Sequence, residues 1–139
     1  MAGYRNTFLH LFRKPGALLP TRWLAALTGQ RFIVPVYHSV SDNNPEHIRH
    51  LYSVKTVRQF TTDLDFLLKT YRPVEIADLE KLLHQGIPPK TNSFLLTFDD
   101  GLREFHDGIA PLLLQKGIPA ICFLNSDFVD NQGLFFRYK

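Results

Sequence analysis

Apolar residues recur along this chain with two different periods, and their alternation predicts the elements. Between Thr56 and Tyr71 they fall at Val57, Phe60, Leu64, Leu67, Leu68 and Tyr71, one face of a 3.6-residue repeat. That spacing predicts an amphipathic helix, and Thr56 followed by Gln59 predicts a capping box at its start. A second helix is expected after residue 76, with Leu79, Leu82 and Leu83 on one face and Gly86 as its stop. A third is expected over roughly 108–116, with Pro111 in its first turn and Gly117 ending it. The remaining apolar runs are too short for helices. Residues 31–37 (RFIVPVY) read as a buried strand, 73–76 (PVEI) as a short strand, 93–98 (SFLLTF) as the clearest strand and 120–124 (AICFL) as the last. Pro35 makes the first ladder imperfect, because it has no N–H to donate. SDNNP at 41–45 reads as a loop, and 87–90 as a linker. Strands that alternate with helices predict an α/β fold with a parallel sheet.

Composition narrows this picture only slightly. A chain of 139 residues, 45% hydrophobic and 21% charged, suits one globular domain and argues against wholesale disorder. A net charge of +3 is too small to point to nucleic acid. No run of about 18 apolar residues occurs, so no transmembrane helix is expected. Phe8, Leu9, Leu11 and Phe12 begin an apolar run, but Arg13, Lys14 and Pro15 cut it too short for a signal-peptide core. The expectation is a cytoplasmic protein. Arg5, Arg13 and Lys14 flank those apolar residues, so residues 4–14 are read as a short helix packed on the domain, with contact to a membrane surface as the alternative. The division expected is an N-terminal helical segment over 1–30 and a domain over 31–139. Cys122 is the lone cysteine, which excludes an internal disulfide, and its apolar run predicts a buried small hydrophobe. The sequence ends at Arg137-Tyr138-Lys139, directly after apolar Leu134-Phe135-Phe136 and with no stop signal, which reads as an interruption that leaves a sheet edge open.

Candidate chemistry gathers where the clearest strand stops. Leu96-Thr97-Phe98 is followed by Asp99, Asp100 and Gly101. Adjacent carboxylates in a structured site repel unless a cation or hydrogen bonds offset them. In parallel α/β folds functional groups collect at the C-terminal ends of strands. Gly101 permits a backbone turn that brings both carboxylates to one pocket. The competing reading is a turn or helix-capping pair, for which Asp is equally suited. His38 ends the first strand in the same way, and Asn125 and Ser126 follow the last, either facing the same pocket or starting a turn. His47 and His50 are three apart in a loop-like stretch and read against a metal pair. His10 and His84 read as solvated helix residues, and Asp127 and Asp130 as loop acids.

Leu96 to Gly101, then Ile109-Ala110-Pro111-Leu112-Leu113, Gly117-Ile118-Pro119-Ala120 and Phe123-Leu124, resembles the first signature block of the polysaccharide deacetylase family, the NodB-homology domain. Val36-Tyr37-His38-Ser39-Val40 resembles the first strand of its exopolysaccharide-type members, and the resemblance spans roughly 31–130. It implies the first half of a distorted (β/α) barrel, truncated. It implies a hydrolase that removes acetyl groups from a carbohydrate, an acetylated amino sugar being the expected substrate. Asp99 matches the general base, Asp100 a ligand of a divalent metal, zinc first among the candidates, and His38 a residue lining the active site; Asn125 joins His38 as a lining candidate. The family's two histidine ligands belong to a later block that this chain does not contain, and His106 is the only histidine after Asp100. The metal site is therefore expected to be incomplete and the chain inactive as it stands. The alternatives are a non-catalytic carbohydrate-binding or remnant domain, and a metal-dependent glycosyltransferase. The last lacks a glycine-rich phosphate cradle near Asp99.

Overall fold

A computed structural model describes residues 6–7, 10–12, 19–43, 45–86 and 89–127. The expectations for residues 4–5, 8–9, 13–14 and 87–88, for Asp130 and for the run 134–139 lie outside them. In chain order the elements are α1 (Thr21–Thr28), β1 (Phe32–Ile33), β2 (Val36–Tyr37), α2 (Val57–Leu68), β3 (Arg72–Pro73), α3 (Ile76–Gln85), β4 (Ser93–Phe94), β5 (Leu96–Phe98), a wide π-type turn of helix (Phe105–Ile109), α4 (Ala110–Lys116) and β6 (Ala120–Cys122).

Among the described residues every strand pair is parallel, in two three-stranded sheets ordered β1-β4-β3 and β2-β5-β6. The two sheets share one spine. Along one edge of residues 93–98, Ser93, Leu95, Thr97 and Asp99 donate to the carbonyls of Arg31, Ile33, Pro35 and Tyr37 at 2.7–3.1 Å. The register stays constant, Phe32 opposite Ser93 and Tyr37 opposite Phe98. The expected strands 31–37 and 93–98 are thus both present but interrupted in the middle. The rung missing there is the one from residue 35 to the Leu95 carbonyl, which proline cannot supply. The opposite edge is shared in succession. Arg72 and Val74 donate to Asn92 and Phe94, then Phe123 donates to Phe98.

All six residues of the spine are buried, as a parallel strand covered on both faces requires. Phe94, Leu96 and Phe98 join Phe60 and Leu64 of α2, Ile109 and Leu113 of the last helix, and Tyr71, Ile118, Val40 and Ala25 in one core. The Phe98 ring lies 4.7 Å from Phe105, 5.7 Å from Tyr37 and 5.9 Å from Phe60, centre to centre. The α2 face is the one its periodicity predicts, and its capping box is complete, Gln59 N–H to Thr56 Oγ1 and Thr56 N–H to Gln59 Oε1. Asp42 adds a third contact, accepting from Val57 N–H at 2.9 Å.

Four expectations need correction. The strand placed at 73–76 is Arg72–Pro73, because Ile76 already begins α3. Leu83 is exposed rather than on a packed face. Cys122 is half-buried, since it stands on an edge strand. The last helix starts upstream of 108, and Ala110 N–H reaches back five residues to Phe105. Pro111 has no N–H for the carbonyl four residues before it, and its ring crowds that carbonyl. A wider turn just ahead lets the helix run through. In the N-terminal segment, Ala25 of α1 is buried in the core, whereas Leu11 and Phe12 are exposed. No helix among the described residues is long and apolar enough to cross a membrane.

Candidate active site

The parallel register decides what meets at the carboxyl end of the spine. Tyr37 pairs with Phe98, so the next residues, His38 and Asp99, emerge side by side. His38 Nε2 stands 3.8 Å from Asp99 Oδ2, and both side chains are about two-fifths exposed. The chain then turns sharply. Asp100 and Gly101 both adopt left-handed backbone, with φ of 72° and 62°. Asp is one of the few residues that tolerates this, at a cost of about 1–2 kcal/mol. Gly101 has no such cost, and a side chain there would also run into Leu124. The turn sends Asp100 into a cavity of about 520 Å³ that His38, Ser39, Leu51, Tyr52, Ser53 and Lys55 also line. His38, Asp99 and Asp100 therefore converge, and the glycine turn is shared with the aspartate before it.

Asn125 does not join them. Its side-chain Oδ1 accepts from Asp127 N–H at 3.3 Å, closing a turn, and it does not line the His38 cavity. His47 and His50 part company. His47 Nε2 lies 3.5 Å from Glu104 Oε1, and His50 is exposed. His106 is exposed too, paired with Asp107 at 2.9 Å. The His106 and Arg103 hydrogen bonds hold the Asp107 carboxyl below its ordinary range.

Tyr52, Leu51, Ser53 and Lys55 are site residues that pattern reading misses, because they sit in a loop without periodicity. The loop is firmly held. Ile48 is fully buried and accepts from Leu51 and Tyr52 N–H, while the far end closes by a bridge between Val40 and Lys55, with Ser41 N–H donating to Lys55. The Tyr52 ring meets His38 edge-on at 6.1 Å. Burial first, then the charges of Asp100 and Glu104, push its phenol above the ordinary value. Below it, Asp63 of α2 accepts from Tyr37 Oη at 3.0 Å and pairs with Lys55 Nζ. Burial and that hydrogen bond raise the Tyr37 phenol strongly. Cys122 is adjacent to Asp99 and Gly101, and burial is the main reason its thiol is raised. Among the described residues, two buried oxygens, Ser39 Oγ and Glu104 Oε2, find no hydrogen-bond partner.

Among the described residues no group of three His, Cys, Asp or Glu side chains is placed to hold a metal ion. A catalytic zinc takes three protein ligands and one open position. The described residues do not by themselves fit that requirement, and Asp100 offers it one carboxylate.

Comparison with known proteins adds a partial family match and a fold. No curated protein sequence matches the chain. Residues 86–137 match the polysaccharide deacetylase family model, a stretch that includes Asp99 and Asp100 but starts after His38 and Tyr52. Among solved structures, a de-N-acetylase from Aggregatibacter actinomycetemcomitans superposes with a TM-score of 0.62 at 21% identity. The match covers 76% of this chain and 42% of that one, so the chain spans less than half the length of its structural neighbour. Residues 86–137 are thus similar to the polysaccharide deacetylase family, and the described part of the chain shares its parallel-stranded fold with a de-N-acetylase.

Proposed function

We propose that the His38–Asp99–Asp100 end of the sheet is the base side of a carbohydrate deacetylase site, which hydrolyses an acetyl group from an amino sugar. The observation that carries this reading is the convergence of His38 and Asp99 at 3.8 Å beside a cavity that Asp100 enters. Water is a poor nucleophile towards an amide, and a positioned carboxylate that takes its proton lowers the barrier. Asp99 is suited to that role, being partly exposed and reachable by solvent. His38 stands beside it, 3.8 Å away, and lines the same cavity as Asp100. Asp100, turned into the cavity, is suited to binding a cation. The family resemblance implies a divalent ion there, zinc first, whose chemistry would be to polarise the acetyl carbonyl. With one carboxylate from the described residues such an ion would be held weakly, so the 139-residue chain alone is expected to release no acetate.

The test is acetate release and metal content, measured on this chain and on the full product of its reading frame. Asp99→Asn should lower the rate of an active product by about 10²–10⁴-fold with metal retained. Asp100→Asn should lose the metal, and excess metal should partly restore the rate. Metal loss from Asp99→Asn with retention in Asp100→Asn would reverse the two roles. Unchanged rates in both would remove the deacetylase reading.

A further inference from the structure

The His38 cavity has one wall that the deacetylase chemistry does not use. His38, Ser39 and Asp100 form its polar side, at the ends of β2 and β5. Facing them is the loop that carries Leu51 and Tyr52, 39% and 38% exposed. An aromatic ring and a leucine, both partly open to solvent, share the cavity with apolar Pro35 and Val36 and with the polar His38, Ser39 and Asp100, which makes an amphipathic container. At about 520 Å³ it is within the ordinary range of small-molecule sites.

Charge narrows the occupant. Asp100 lines the cavity, and Glu104 is near enough for its charge to act on Tyr52. Lys55 is the one basic residue of the wall, and it is paired with Asp63. The net field therefore disfavours phosphates and carboxylates. A neutral ligand with one apolar face and many hydroxyls fits, and a pyranose ring has that character. The wall is also preorganised. Buried Ile48 anchors it on one side and the Val40–Lys55 bridge on the other, so little ordering entropy remains to be lost on binding.

We infer that Tyr52, with Leu51, is the stacking wall for one pyranose unit of the carbohydrate, holding that ring against His38 and Asp100. This rests on the deacetylase reading for the identity of the sugar polymer, but not for the presence of a sugar. Tyr52 stays protonated through the neutral pH range, so its hydroxyl remains a donor towards the sugar while its ring packs on the C–H face.

The experiment is an NMR titration of the 139-residue chain with a tetramer of N-acetylglucosamine and, separately, a tetramer of glucose. The His38 ring protons are the reporter, since Tyr52 lies edge-on to them. Wild type should show saturable shifts at His38 and in the 51–55 amides. Tyr52→Phe should bind within about 3-fold of wild type, and Tyr52→Ala about 10-fold more weakly, from the usual worth of an aromatic contact. Leu51→Ala should weaken binding by a smaller factor and decides the matter if Tyr52→Ala fails to fold. If the acetylated tetramer binds and Tyr52→Ala holds it as tightly as wild type, the wall is overturned while the deacetylase reading stands. If both tetramers bind equally and both depend on Tyr52, the wall stands and the preference for acetyl groups falls. Binding of neither tetramer overturns the wall as well.

Discussion

Ser93 and Ser39 are buried almost equally, 5% and 6% exposed, yet their hydroxyls fare differently. Ser93, at the start of the spine, donates to the Thr91 carbonyl at 2.9 Å. Ser39, just past the carboxyl end of the paired strand, has no partner for Oγ among the described residues. The same contrast runs through both ends. At the start, β1 and β3 bond to both edges of β4 in regular register. At the finish, Asp100 takes a left-handed backbone, Glu104 buries an unpartnered oxygen, and acids meet histidines. One hydrophobic core supports both. Strain and unsatisfied polar groups gather where a ligand would use them, and the opposite end supplies the rigidity that keeps them there.

The largest expected effect tests the shared core. Phe94 and Phe98 are both fully buried, one at each end. Phe94→Ala and Phe98→Ala should each lower unfolding stability by about 3–5 kcal/mol in a urea titration. A loss confined to one of them would mean that the ends do not share a core. Next come the turn residues. Gly101→Ala should cost about 1–2 kcal/mol for its left-handed backbone, and more than Gly29→Ala, where a side chain meets nothing. Asp100→Gly should instead gain about 0.5–1 kcal/mol, since glycine adopts that backbone freely. Equal costs at Gly29 and Gly101 would show that Leu124 simply moves aside.

Tyr37→Phe should cost about 1 kcal/mol by removing the hydrogen bond to Asp63. It should also change the response to alkali. The folded state raises the phenol above its ordinary value near 10, so this contribution is complete below about pH 10 and is lost as the pH climbs beyond it. The variant's melting temperature should fall less between pH 9 and 11 than that of wild type, by the criterion of thermal melts at about half-unit steps. The smallest effect sharpens the comparison most. Ser93→Ala should destabilise by about 1 kcal/mol, whereas Ser39→Ala should be neutral or stabilising by about 1 kcal/mol. Two losses of the same size would place a partner on Ser39 and erase the contrast.

Much of this was legible in the sequence, for identifiable reasons. The face of α2 follows from Phe60 and Leu64, and its start from Thr56 and Gln59, because both signals are local. The Asp99–Asp100 strand end and its approach to His38 follow from apolar runs that stop in polar residues. The break at Pro35 was half visible. Its missing donor could be read from one residue, but the matching break at Leu95 depends on register, which is non-local. The Tyr52 wall was invisible because it depends on Ile48, an apolar residue in a polar loop, reaching the core. The left-handed backbone at Asp100 had no signal either, since aspartate suits ordinary turns equally well. Asn125 offered both a turn and a lining role, and its hydrogen bond to Asp127 takes the turn.

The pairing order has a consequence for how the chain is made. Among the described residues, β1, β2, β3 and β6 each find their strand partner only in the spine formed by β4 and β5. As the polypeptide leaves the ribosome, β1 and β2 must wait roughly sixty residues for that template, and the helices of the interval cannot dock on a sheet that does not yet exist. His38 thus meets Asp99 at the moment the template is completed, and the birth of the sheet and the birth of the site are one event.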